Sequence, residues 1–220
     1  MIPFALRLLR LIWGLFLYAL GIVITLKAHI GYAPWDVLHA GLAGTLGGST
    51  IGAASIATGL LVIAIAVLLG ERVGLGTLLN MLLIGVFMDA ILETGILPQA
   101  SGYAPGAAMM LAGLFVIAFG SYFYIGSAFG AGPRDSLMVA LTRKTKLPVG
   151  AVRAGIELAA ALVGWRLGGL LGIGTVLSAF AVGFCVQVVF RLLRFDPTKV
   201  VHEALGRSLE RFVVGPERKA

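Results

Sequence analysis

The sequence predicts an all-α membrane protein, with six transmembrane helices arranged as two inverted three-helix repeats and a short half-helix in each. Three observations predict it. Of the 220 residues, 59% are apolar and 12% are charged, about half the roughly 25% charge of a soluble domain; the mean hydropathy is +1.01. Several apolar runs approach or exceed the roughly 20 residues that cross a bilayer core. The third observation is a duplication. Gly31–Asp36 (GYAPWD) returns 99 residues later as Gly130–Asp135 (GAGPRD), and Gly74–Asn80 (GLGTLLN) returns after 98 as Gly172–Ser178 (GIGTVLS). Two blocks repeating at nearly one offset mark an internal repeat, which settles architecture before any single motif does.

The first span, about 11–26, follows Arg7 and Arg10 as a secretory signal would. Its apolar run lacks a small-x-small cleavage site, so it reads as a retained span. The others cover approximately 51–69, 75–92, 107–125, 149–167 and 170–192. All must be helical, because a lone strand cannot satisfy its backbone in lipid. The 31 glycines, which would weaken helices in water, let helix backbones approach closely in a membrane. Between spans, Pro34 and Pro133 suit a first helical turn, where the missing N–H costs nothing. Gly31 and Gly130 permit the sharp turn before each. Short helices are expected over 37–46 and 136–141, with Asp36 and Asp135 near their starts at the positive end of the dipole.

The domain plan is a first membrane repeat over 1–97, a polar connector over 98–106, a second repeat over 107–194, and a basic amphipathic tail over 195–220. With the N-terminus inside, the cytoplasmic side receives Arg7, Arg10, Arg72, Arg134, Arg143, Lys144 and Lys146, and the tail adds seven more from Arg191 to Lys219. The outside keeps Lys27 and Arg166. This bias places both termini in the cytoplasm. Three spans per repeat invert the second copy, relating the halves by a two-fold axis in the membrane plane. In the tail, Asp196-Pro197-Thr198 is a helix-start signal; apolar residues from Val200 to Val213 then recur at helical spacing, as in a cationic helix on the inner leaflet.

Two readings of the short helices stay open. They are interfacial, with Asp36 and Asp135 as caps, or they are re-entrant and line a site or pore near the midplane. Trp35 and Arg134 occupy one place in the two copies. They read either as an outer-interface anchor and an inner-side topology residue, or as a pair that distinguishes the two ends of an anionic or planar solute. Polar residues inside spans are costly and become candidates for that reason. Asn80 matches Ser178, and Asp89 matches Gln187, across the repeat. Arg153 and Glu157 stand i, i+4 and can neutralise each other. His29 and His39 flank the first motif on the outer side but make no metal set. The single Cys185 excludes an intrachain disulfide. Neither a nucleophile–base arrangement nor a phosphate-cradling loop is present, so the reading is not an enzyme, without cofactor or metal.

At these residues the chain resembles the YczE/YyaS/YitT family of bacterial integral membrane proteins, closest to the YczE branch. The matching stretches are GYAPWDVL, TIGAAS and GLGTLLNMLLIG in the first half, and GAGPRDSLMVAL, VGAVRAGIEL and GIGTVLSAFAVG in the second. The resemblance implies a multi-pass protein of the bacterial plasma membrane and supplies no substrate or catalytic residue. The function expected from the residues is a small-solute transporter or channel with its site at the repeat axis. Asp36, Asp135, Trp35, Arg134, Asn80, Ser178, Asp89 and Gln187 would line it. The alternative is a non-transporting scaffold or sensor that docks through the basic tail. The partners expected are the lipid bilayer, a small-molecule solute and, through glycine-rich faces, a further copy of the chain; no nucleic acid is expected.

Overall fold

The computed structural model describes residues 3–71 and 73–200, and the regular structure among them is helical. In order these are α1 (Phe4–Lys27), α2 (Pro34–Thr45), α3 (Ile51–Leu68), α4 (Leu75–Glu93), α5 (Tyr103–Gly126), α6 (Pro133–Thr145), α7 (Val149–Arg166) and α8 (Ile173–Leu192). A short 3-10 turn follows at Pro197–Lys199. Helices α1, α3, α4, α5 and α8 are long and apolar enough to cross a membrane. The remaining expected span, α7, has 18 residues but carries Arg153, Glu157 and Arg166 and falls outside that group.

Boundaries moved where charge or proline had set them. Helix α1 begins about two turns before the expected residue 11, because Arg7 and Arg10 find partners on α5 and the turn after it. The Arg7 guanidinium lies 4.5 Å from the Phe129 ring centre, and Arg10 lies 4.9 Å from that of Tyr122; Arg7 Nε also donates to Ser127 O at 3.0 Å. Helices α2 and α6 start at their prolines rather than three residues later. Helix α5 starts at Tyr103, so part of the expected connector is helical. Asp196 caps the final turn, accepting from Thr198 Oγ1 at 2.6 Å and Thr198 N at 3.0 Å. Those bonds hold its carboxyl below the usual range. Residues 201–220, where most of the amphipathic tail helix is expected, lie outside the described residues.

The bundle is centred on α1 and α5. Gly14 rests on the backbone of Gly120 and Tyr124, and Gly21 on that of Gly113 and Ile117. Since low numbers on α1 meet high numbers on α5, the two helices run antiparallel. Such contact needs small residues, because between lipid-exposed helices association rests on close packing rather than on escape from water. Around this pair, α4 packs on α1 and α8 on α5. Both short helices sit between α3 and α7, so each touches the other half as well as its own.

The two kinds of repeated motif are opposite sides of one seam. The turn before α2 enters the second half, where Gly174 N donates to Ile30 O at 2.8 Å and Tyr32 N to Leu170 O at 3.0 Å. The turn before α6 enters the first half, where Gly76 N donates to Phe129 O at 2.8 Å and Thr77 Oγ1 to Ala131 O at 2.6 Å. Gly31 (φ +115°) and Gly130 (φ +129°) make these turns in a backbone region that side chains avoid. Thr77→Val should therefore leave the Ala131 carbonyl and the Gly74 N–H without their hydroxyl partner. A loss of about 1–3 kcal/mol is expected, read as a lower melting temperature in detergent, with Thr77→Ser retaining most of the stability.

Candidate functional site

Helices α2 and α6 bring their N-terminal turns to one cavity of about 260 Å³ inside the bundle. From α2 come Trp35 and His39, one turn apart and so on one face; from α6 come Pro133, Arg134, Asp135 and Met138. Further polar lining comes from Tyr18 in the middle of α1, Ser55 and Thr58 of α3, Asn80 of α4, Ser121 and Tyr124 of α5, and Arg153 and Glu157 of α7. The volume lies below the roughly 300–1,000 Å³ of pockets for drug-sized ligands, which limits an occupant to a small solute.

The polar groups are arranged unequally between the halves. The Arg134 guanidinium lies over the Trp35 ring at 4.7 Å from its centre, a cation–π contact that joins the starts of α2 and α6 across the cavity. Asp36 is 3% exposed and His39 1%, with His39 Nδ1 at 3.4 Å from Asp36 Oδ1. Asp36 thus stands behind His39, while its counterpart Asp135 is exposed and lines the cavity. Arg153 Nε donates to Glu157 Oε1 at 3.0 Å along α7. Tyr124 OH donates to Gly130 O at 3.1 Å and fixes the turn that presents α6. The places of Arg153 and Glu157 are held in the first half by Ser55 and Gly59, which also line the cavity. The repeat therefore supplies matched positions and the second half supplies most of the charge.

Of the eight expected lining residues, the structure brings together Trp35, Arg134, Asp135 and Asn80 and sets Asp36 just behind. The other three lie elsewhere. Ser178 is buried and its Oγ donates to Thr175 O at 3.0 Å, within its own helix. Asp89 accepts from Thr50 Oγ1 at 2.5 Å and Gly52 N at 2.8 Å, capping the start of α3. Gln187 is exposed. Distance along the helix explains Asp89, which stands nine residues or about 13 Å beyond Asn80 at 1.5 Å per residue. His39, read from the sequence as flanking the first motif on the outer side, is buried and lines the cavity. Tyr18, Tyr124 and Ser121 were missed, although each is a polar tip inside an apolar span and the cost that singles out Asn80 applies to them equally.

A family model described as a family of unknown function, DUF6198, matches residues 5–191 and leaves out the basic tail. The chain is 38% identical over 176 residues to the uncharacterized membrane protein YczE of Bacillus subtilis (strain 168), covering 79% of this chain and 80% of that protein. It is 33% identical over 183 residues to an uncharacterized protein of Haemophilus influenzae, with 83% of each covered. No solved structure matches.

Proposed function

We propose, from the premise that this chain belongs to the DUF6198 family of YczE-like membrane proteins, that it is a small-solute transporter or channel whose site is the cavity between α2 and α6. One observation carries the proposal: two short helices from different halves direct their N-terminal turns at one mid-bundle cavity, where Arg134 stacks on Trp35. Discontinuous helices with that arrangement hold solutes at the midplane of known transporters. The antiparallel run of the equivalent helices α1 and α5 and the reciprocal turn seams support an inverted repeat. The pairing of Arg153 with Glu157 supports α7 as a sixth span. The excess of Lys and Arg supports an orientation with both termini in the cytoplasm of a bacterial cell. The cavity binds rather than reacts, and the energy for movement comes from a gradient or a partner.

The test is a melting-temperature screen of the full-length protein in detergent against small carboxylates, amino acids and amines. A solute that binds only the folded state raises the melting point, by about 2.7 kcal/mol of stability at one hundred times its Kd. The expected result is a saturable rise that persists when 201–220 are deleted and falls in Asp135→Asn. If no solute of these classes shifts the melting point or crosses a proteoliposome membrane, the proposal is wrong.

A further inference from the structure

The two halves match at their larger seams except one. Helix α3 packs along α4, whereas α7 makes no comparable seam with α8. Between α3 and α4, Gly52 and Gly85 lie so close that a Cβ on either would meet the other's carbonyl oxygen. Asp89 closes the end of that seam by accepting from Thr50 and Gly52. Ninety-eight residues on, the same places hold Gly150 and Gly183. Among the described residues, nothing lies within 4 Å of where a Cβ would stand on either. A helical glycine costs about 1 kcal/mol relative to alanine, and here the second half carries that cost without the contact that rewards it in the first.

The site shows the same one-sidedness. Asp36 is shut behind His39, while Asp135 and Arg153 are exposed on the side where α7 and α8 stand apart. We infer that this structure is one of two states that exchange their seams. In the other, α8 closes on α7 through Gly150 and Gly183, with the Gln187 amide oxygen accepting from Gly150 N–H as Asp89 accepts from Gly52 N–H. The α3–α4 seam opens in return, and the cavity faces the opposite side. The inference rests on the transport reading and gives it a mechanism of alternating access, for a site closed on one face at a time.

The test uses the full chain in its membrane, with Cys185→Ala, Pro148→Cys and Gln187→Cys. Positions 148 and 187 correspond to Thr50 and Asp89, which touch in the closed seam. A short bifunctional thiol reagent should join them within one chain. Gly183→Leu, placed in open space here, should leave the melting temperature unchanged and lower the cross-linked fraction about tenfold by overfilling the closed seam. Asp89→Ala should raise that fraction. Two results overturn the exchange: no cross-link although both thiols react with a monofunctional maleimide, or a cross-link only between two chains, which would assign the glycine face to a second copy. The cross-link reads helix motion alone. Its absence with solute binding intact would sink the exchange and leave the transport reading standing; its presence without any solute binding would do the reverse.

Discussion

Leucine at Gly21 is expected to abolish the folded membrane domain. A Cβ on Gly21 would stand 2.6 Å from Ile117 Cγ1 and 2.7 Å from both Gly113 O and Ile117 N. Two of those three neighbours are backbone atoms of α5, which cannot turn aside as a side chain can. Overfilling a packed core costs typically 1–3 kcal/mol where side chains yield; where a helix axis must move, the cost runs along the whole seam. The reciprocal position Gly120 would meet Tyr18 N at 2.7 Å and Gly14 O at 2.8 Å, so Gly120→Leu should fail in the same way. Gly150→Leu and Gly183→Leu are the matched controls, since both enter open space. Yield of monodisperse protein and the melting temperature in detergent measure all four. Wild-type stability in Gly21→Leu would mean that α1 and α5 are not the centre of the bundle.

The duplication explains why so much of this fold was legible in the sequence. Apolar run length located α3 and α4 to within a residue at each end, since neither contains a proline and the charged pair Glu71-Arg72 marks the break between them. The start of α1 was not legible, because Arg7 and Arg10 read as the edge of a span until the rings that receive them are known. GYAPWD and GIGT were recognisable as repeat markers, yet nothing in one dimension says that the first motif of one half seats against the second motif of the other. That cross-seating also decides the geometry of the site. Trp35 and Arg134 read from the sequence either as anchors at opposite faces or as a pair at one solute site, and it takes the packing of α2 and α6 between α3 and α7 to stack them. Asp89 shows the opposite error. A carboxylate inside an apolar span was rightly taken as costly, but the cost is offset by a hydroxyl and a helix-start N–H rather than by a solute.

Arg134→Ala is expected to remove most solute affinity while leaving the fold in place. Its guanidinium reaches the cavity from the second residue of α6 and packs on the face of Trp35 rather than in the seams that hold the bundle. A hydrogen bond to a charged group contributes about 1.5–3 kcal/mol, so deleting this donor should weaken binding of an anionic or carboxylate-bearing solute roughly 10- to 100-fold. Arg134→Lys separates charge from shape. It keeps the positive charge but loses the planar surface that stacks on an indole and the fork that grips a carboxylate, and it should fall between wild type and alanine. Trp35→Leu removes the ring that holds the guanidinium in position and should weaken binding by a smaller factor, with little further loss when combined with Arg134→Ala, because both act through one contact. Asp36→Asn, set behind His39, should act only by loosening that imidazole. Calorimetric titration with the solute that gives the largest melting shift measures each Kd. Equal affinity in wild type and Arg134→Ala would move the site away from the cavity, and full additivity of the Trp35 and Arg134 losses would show that the stacked pair does not act as a unit.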